Sequence, residues 1–194
     1  KPDSGSVTID NIDISEFIDR IGYMPQRFAL YPDLTLMENI HFYSEIYNVD
    51  KENSRKKIKD LLSSFSIYEF KDRKAGKLSG GMKQKLALAC TLIHTPELLI
   101  LDEPTNGVDP VSRREFWNIL YDLRQQGVTV ITSTSYLEEA ERCSALAMLY
   151  KGKVLAVNSV SNLKNTEDLE TYSITSSKAR DIYFRLKDSE YSDL

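Results

Sequence analysis

Residues 78–85, together with an apolar run further along the chain, limit most strongly what this sequence can fold into. The segment reads LSGGMKQK, and residues 98–101 form an apolar run that ends in Asp102, Glu103 and Pro104. A glycine turn that opens a helix presents backbone N–H groups and a positive helix end to an anion. A buried strand that ends in two carboxylates offers oxygen ligands to a divalent cation. Together the two patterns predict a site for a magnesium nucleotide.

The composition excludes several classes of partner. The 194 residues, 41% of them hydrophobic, suffice for one domain with a core. Net charge is −4 and the pI is about 5.3, so no bulk attraction to nucleic acid or anionic lipid is expected. The longest apolar stretches are far shorter than the roughly 20 residues of a membrane-spanning helix. We therefore expect no nucleic acid partner, and any membrane role must come through another protein.

The alternation of apolar patterns favours an α/β fold. Strands are predicted at residues 7–9, 21–25, 98–101, 128–133, 145–150 and 154–157. Helices are predicted at residues 36–47, 58–65, 82–95, 116–123 and 136–143. Because helices separate the strands between residues 98 and 150, we predict parallel pairing with covered faces. Residues 169–188 carry patterns typical of a small accessory module.

The glycine turn has two interpretations. Gly80 and Gly81 allow backbone N–H groups to approach an anion, and Ser79 adds a hydroxyl donor. Lys83 and Lys85 add positive charge nearby. Alternatively, Ser79 is an ordinary helix cap followed by flexible glycines.

The acidic residues that follow the glycine turn also have two interpretations. Asp102 is suited to bind Mg²⁺, directly or through water, and Glu103 to polarise an attacking water. The alternative is that the acidic pair only caps a turn. Further along, Asp109 and Pro110 form a typical helix start, with Asp109 as the cap and Pro110 at the first helical position.

In this order the motifs resemble the nucleotide-binding cassette of ABC transporters, especially the ATP-binding subunit of bacterial multidrug-type exporters. The resemblance covers residues 1 to about 165. It implies a P-loop NTPase-like (RecA-like) α/β core with a parallel sheet, and a helical subdomain at about residues 35–95. Residues 166–194 would be a linker or the start of a C-terminal accessory module. Residues 133–141 are similar to the first cassette of exporters that carry two cassettes in one polypeptide.

The resemblance also implies roles for particular residues. Ser79, Gly80 and Gly81 match the signature motif that binds ATP of a facing cassette. Residues 98–103 match the Walker B motif, with Asp102 at Mg²⁺ and Glu103 as the catalytic base. Gln26 matches the Q-loop glutamine, which contacts Mg²⁺ and links the core to the helical subdomain. Asp109 matches the D-loop position that faces the second cassette. The implied cofactors are ATP and Mg²⁺.

Two departures from the family pattern stand out. The Walker A pattern G-x-x-x-x-G-K-[ST] does not occur, because Gly-Lys is found only at residues 76–77 and 152–153. We expect that segment to precede Lys1, which would make this an N-terminally truncated cassette that is inactive alone. Ser135 stands where these ATPases usually have a histidine that contacts the γ-phosphate, and neither His41 nor His94 is placed to substitute for it. The sequence therefore predicts a slow or degenerate site.

The resemblance implies a second cassette and transmembrane permease subunits as partners. The expected place is the cytoplasmic face of the cell membrane, reached through the permease. The leading hypothesis is the ATP-hydrolysing component of an exporter. The alternatives are a catalytically degenerate cassette that completes a partner's ATP site, and a soluble ABC ATPase without a transport role.

Overall fold

A computed structural model describes residues 3–27, 29–160 and 162 of the chain. Its strands are β1 (Thr8–Ile9), β2 (Ile12–Asp13), β3 (Ile21–Met24), β4 (Leu98–Asp102), β5 (Thr129–Ser133), β6 (Leu146–Tyr150) and β7 (Lys153–Asn158). Its α-helices are α1 (Ile14–Phe17), α2 (Leu36–Ile46), α3 (Lys51–Ser64), α4 (Gly80–Leu92), α5 (Pro110–Gln125) and α6 (Leu137–Ala140). The described residues fall into two compact units, one ending at Leu137 and the other beginning at Glu138. Within this described part, no helix combines the length and the apolar character needed to cross a membrane.

A three-stranded parallel sheet forms the centre of the first unit. Its order is β3-β4-β5, with Ile21 opposite Leu98 and Leu98 opposite Thr129. The middle strand β4 is the apolar run of the sequence, and its residues Leu99 and Leu101 are almost fully buried. Parallel strands bury both faces under crossover helices, which explains why β4 is continuously apolar. The predicted α/β class with a parallel sheet is confirmed.

The helices of this unit begin and end at residues that the sequence marks. Thr35 and Glu38 form a reciprocal capping box at the start of α2. After α4 the chain turns at Thr95, which has a positive φ of 57°, and Pro96 prevents the helix from continuing. The last turn of α5 ends before Gly127, which has a φ of 94°. The two helices predicted between residues 36 and 65 are present as α2 and α3.

Helix α4 lies at the centre of the apolar core. It packs against α2, α5 and β3. Its residues from Lys85 to Leu92 are all buried, so this helix has no solvent-facing stripe over its second half. Core side chains from the neighbouring helices include Leu36 and Ile40 of α2 and Phe116 of α5. This packing fixes the position of the turn that precedes α4.

The structure corrects the prediction that the strand at residues 128–133 is buried. Exposed and half-buried residues alternate along β5, and Ile131 is 54% exposed. Helix α4 packs on β3 and helix α5 packs against β5, so the helices leave part of this end strand uncovered. An apolar β-branched sequence alone does not distinguish a central strand from an end strand.

A second correction concerns residues 136–158. The predicted helix at residues 136–143 is shorter and spans Leu137–Ala140. Strand β6 was expected in the parallel sheet but pairs antiparallel with β7 in a separate two-stranded sheet. Lys151 and Gly152 between them have φ values of 48° and 75°, as in a tight hairpin turn. A two-residue connection can only join antiparallel strands. The module predicted at residues 166–194 lies outside the described residues.

Candidate functional site

The two acidic residues lie at the carboxyl end of the middle strand. Asp102 is the last residue of β4, and Glu103 follows it with a φ of 47°. The left-handed region is sparsely populated by residues other than glycine and costs of order 1–3 kcal/mol, so the surroundings must hold it. The N–H of Glu103 donates to the backbone O of Ser133 at 3.2 Å and to its Oγ at 2.9 Å. Ser133 therefore supports the unusual backbone at Glu103.

Ser133 also contacts the other acid of the pair. Its Oγ donates to Oδ1 of Asp102 at 2.6 Å. The contact follows from the parallel register, in which Asp102 and Ser133 are opposite each other. The hydroxyl of Ser133 thus links Asp102 and Glu103 to the end of β5. The sequence analysis did not assign a role to Ser133, although the alignment of the two strand ends would have placed it there.

Ser135 lies beside the candidate base, Glu103. Its Oγ is 3.3 Å from Oε2 of Glu103. The two acids are half-buried and Ser135 is exposed. Asp102, Glu103, Ser133 and Ser135 consequently form one cluster at the carboxyl edge of the sheet, where α/β folds bind their ligands.

The glycine turn lies at the start of α4. Ser79 is the N-cap, and its Oγ accepts a hydrogen bond from the N–H of Met82 at 3.2 Å. The helix begins at Gly80, so the backbone N–H groups of Gly80 and Gly81 are among those that a helix leaves without an internal acceptor. The cap interpretation is confirmed, and it is compatible with an anion at the same helix end.

The two glycines of this turn differ in their surroundings. Gly80 is exposed, and a Cβ there would lie 3.7 Å from the carbonyl O of Gly107. Gly81 is buried, and a Cβ there would lie 2.4 Å from Cβ of Ser112 on α5. Gly81 is thus required by the close approach of two helices, a reason that the sequence analysis missed.

Asp109 is brought close to the glycine turn. It caps α5, and its Oδ1 accepts hydrogen bonds from the N–H groups of Val111 at 3.1 Å and Ser112 at 2.9 Å. Pro110 occupies the first helical turn, as predicted. Hydrogen bonds from the backbone and then the side chain of Ser112 lower the pKa of the Asp109 carboxyl. Because Ser112 also touches Gly81, the glycine turn and Asp109 form a second cluster.

The structure corrects the role expected for Lys85. Its Nζ donates to Oε2 of Glu115 on α5 at 2.8 Å, and its side chain is only 10% exposed. Lys85 therefore holds α4 to α5 and adds no free charge to the glycine turn. Lys83 is half-buried on the other side of the helix.

Gln26 follows the strand next to β4 and, among the described residues, makes no hydrogen bond to the two acids. It is exposed, two residues beyond the end of β3. It lines a cavity of about 360 Å³ together with Pro32, Gly76, Lys83 and Gln84. Within the described part of the chain, no hydrogen bond joins Gln26 to Asp102 or Glu103. The cavity thus brings Gln26 close to the first turns of α4.

Arg113 connects the loops that follow β4 and β5, and the sequence gave no signal for it. Its Nη2 donates to the carbonyl O of Val108 at 3.3 Å, next to Asp109. Its guanidinium carbon lies 4.1 Å from the ring centre of Tyr136, next to Ser135. A cation over an aromatic face is attractive, so Arg113 holds the two loops in a fixed relation.

The residues of these clusters fit a magnesium nucleotide. Magnesium binds through one or two carboxylates and keeps water or phosphate oxygens as its other ligands. Asp102 and Glu103 supply such carboxylates, and the described residues contain no larger group of His, Cys, Asp and Glu that would form an all-protein metal site. The start of α4 supplies N–H donors suited to phosphate. Asp102 would hold a cation in the first cluster, and Ser79 and Gly80 would contact phosphate in the second.

Comparison of the sequence with known proteins finds one matching family model and several similar proteins. A family model described as ABC transporter matches residues 1–106. The probable multidrug ABC transporter ATP-binding protein YbhF of Escherichia coli is 47% identical over 159 residues, which are 80% of this chain and 28% of that protein. The linearmycin resistance ATP-binding protein LnrL of Bacillus subtilis is 34% identical over 83% of this chain and 53% of its own length. The chain thus spans about a quarter to a half of these relatives.

Solved structures show the same fold. A structure of an ATP binding subunit of an ABC transporter has a TM-score of 0.74 at 24% identity, over 97% of this chain and 78% of the other. The structure of cbiO1 from Clostridium perfringens, described as part of the ABC transporter complex cbiONQ, has a TM-score of 0.75 at 23% identity, over 96% of this chain and 73% of the other.

Proposed function

Because this chain belongs to the ABC transporter family, we propose that it is the ATP-binding and ATP-hydrolysing part of an exporter. The cofactors are ATP and Mg²⁺. The observation that carries the proposal is the cluster in which Ser133 joins Asp102 and Glu103 at the carboxyl edge of the sheet. A multidrug role is supported by the likeness to YbhF, which is named as a probable multidrug ABC transporter ATP-binding protein.

The two carboxylates have different tasks in this proposal. Asp102 would hold the cation, and Ser133 donates a hydrogen bond to its Oδ1. Glu103 accepts the proton of the water that attacks the terminal phosphoryl group, an effect typically worth about 10²- to 10⁴-fold in rate. Bound Mg²⁺ would neutralise charge on the phosphate oxygens. The left-handed backbone at Glu103 is the kind of local strain that clusters at catalytic positions.

The second cluster serves a partner. Ser79, Gly80 and Asp109 are exposed, and they are held together through Gly81 and Ser112. We propose that this surface completes the ATP site of a second cassette, by its helix N-terminus and hydroxyl. Whether that cassette belongs to the same polypeptide is a separate prediction, which rests on the likeness of residues 133–141 to two-cassette exporters.

The groove that Gln26 lines is the proposed contact with the membrane partner. It lies between the end of β3 and the helical subdomain and includes Pro32 and Gly76. A permease segment in this groove would couple movement of the subdomain to the site through Gln26. Gln26 would also contact Mg²⁺ when the nucleotide is bound. In this proposal the cassette lies at the cytoplasmic face of the membrane.

Ser135 favours a second candidate function. A serine at this position lacks the reach and charge of an imidazole, and losing one donor to a transition state typically costs about 3–4 kcal/mol. The second candidate is a cassette whose own site turns over slowly while Ser79, Gly80 and Asp109 support hydrolysis at the partner's site.

The test uses a polypeptide that carries this chain together with a Walker A sequence. Glu103→Gln should lower kcat for ATP by about 10²- to 10⁴-fold and leave ATP binding in place. The matched control is Glu97→Gln. Glu97 is an exposed carboxylate that immediately precedes β4, far along the strand from Glu103, and it pairs with Arg20. Equal activity of Glu103→Gln and wild type would overturn the main proposal.

A mixing experiment separates the two candidates. If the wild type has no turnover of its own but accelerates a partner cassette, and Gly80→Asp abolishes that acceleration, the second candidate holds. Acceleration that survives Gly80→Asp would exclude the role of the glycine turn.

A further inference from the structure

The hydroxyl of Ser133 has an orientation that its two partners determine. The N–H of Glu103 can only donate, so Oγ of Ser133 accepts that bond at 2.9 Å. The hydroxyl proton is then directed to Oδ1 of Asp102, 2.6 Å away. A hydroxyl has one donor and two acceptor positions, and here the donor and one acceptor are used on adjacent residues. Ser133 thus links the backbone of one acid to the carboxylate of the other.

We infer that Ser133 is a positioning residue for a divalent cation at Asp102 and for the carboxylate of Glu103. Because Ser133 donates to Oδ1, the carboxylate of Asp102 is restrained before a cation arrives, and its Oδ2 stays available as a ligand. The same hydroxyl stabilises the left-handed backbone that directs Glu103. Groups that orient metal ligands typically change metal affinity or activity by about 10- to 100-fold when removed. The inference rests on the proposed function, since it assigns Ser133 to that same site.

The contacts distinguish Ser133 from its neighbours on β5. Thr132 lies on the opposite face of the strand, and its Oγ1 donates to the backbone O of Ser133 at 3.3 Å. Thr129 is an exposed hydroxyl residue at the other end of β5. Thr129→Ala is therefore a control that removes a hydroxyl from the same strand, away from the acids.

The experiment compares three variants in a polypeptide that includes a Walker A sequence. Affinity for Mn²⁺ is measured by electron paramagnetic resonance in the presence of ATP. Ser133→Ala should weaken Mn²⁺ binding by about 10- to 100-fold, Ser133→Thr should restore it to within a few-fold, and Thr129→Ala should match the wild type. Equal Mn²⁺ affinity for Ser133→Ala and wild type would overturn the inference.

A second measurement does not depend on nucleotide. Hydrogen exchange at the backbone amide of Glu103 should accelerate several-fold in Ser133→Ala and stay at the wild-type rate in Ser133→Thr, because only the alanine loses the Oγ acceptor. Unchanged exchange in Ser133→Ala would also overturn the inference. If wild type itself fails to bind Mn²⁺ with ATP, the proposed function fails, and the positioning role fails with it. Failure of the proposed function is thus seen in the wild-type protein, whereas failure of the positioning role alone is seen as unchanged behaviour of Ser133→Ala.

Discussion

A methyl group on Gly81 would lie 2.4 Å from Cβ of Ser112, so helices α4 and α5 touch at this glycine. Ser112 also donates its N–H to Asp109. The glycine turn before α4 and the loop before α5 therefore share one contact. A change in either helix is expected to displace both exposed loops together.

The close approach at Gly81 gives a stability prediction. Gly81→Ala should lower the free energy of unfolding by about 1–3 kcal/mol, because it overpacks a contact that cannot open without moving α5. Urea unfolding measures the change. Gly80→Ala is the matched control, since its Cβ would meet only the O of Gly107 at 3.7 Å, and it should retain wild-type stability. Equal losses for the two variants would contradict the packing argument.

We predict that a histidine in place of Ser135 increases ATP hydrolysis. Ser135→His should raise kcat for ATP by about 10²- to 10³-fold in a polypeptide with a Walker A sequence, because an imidazole beside Glu103 can donate to the terminal phosphate. Single-turnover and steady-state ATP hydrolysis measure the change. Ser135→Ala, which removes the 3.3 Å contact with Glu103, should not produce the gain. An unchanged rate in the histidine variant would show that this position does not limit turnover.

Asp109 predicts a dependence of stability on pH. Its hydrogen bonds lower the pKa of the folded carboxyl below the ordinary value of 3.8. A lowered pKa means that the charged form stabilises the fold, fully above the unfolded pKa, and that this contribution is lost as pH falls through the folded pKa. Asp109→Asn keeps a side-chain oxygen that can cap α5 but removes the negative charge of the carboxylate. Its stability difference from wild type should therefore be largest near neutral pH and disappear in acid, as thermal unfolding across pH would reveal.

For the ion pair between Lys85 and Glu115, we predict that removing the acid lowers stability more than removing the base. Glu115→Gln should destabilise by about 1.5–3 kcal/mol, because it leaves a buried ammonium without its charged acceptor. Lys85→Met should cost less, since Glu115 is half exposed and water can solvate it. Chemical denaturation of both single variants and of the double variant measures the coupling. A larger loss for Lys85→Met would contradict this assignment.

We predict that removing the Arg113 side chain slows ATP hydrolysis while the fold is retained. Arg113→Ala removes the bond to Val108 and the contact with Tyr136. We expect kcat to fall by about tenfold, because small displacements of catalytic groups have large effects on rate. Arg114→Ala is the matched control, since Arg114 is the neighbouring exposed arginine on α5. Steady-state ATP hydrolysis and circular dichroism together measure the effect, and equal rates for the two variants would exclude it.

Local patterns were sufficient to predict much of this molecule. The apolar run before Asp102 predicted the middle strand, and helical spacing predicted α2, α4 and α5. The same patterns placed Asp102 and Glu103 at the end of β4, because a strand ends where its apolar run ends. Ser79 and Asp109 were identifiable as caps because capping depends on residues only two or three positions away.

Contacts between residues far apart in sequence were decided by the tertiary structure alone. The bond from Ser133 to Asp102 depends on strand register, and the contact of Gly81 with Ser112 depends on how closely two helices pack. Lys85 forms an ion pair with Glu115, thirty residues away, for the same reason. Sequence periodicity determines which face of an element is apolar, but the neighbour of that face is selected by the packing of the whole unit.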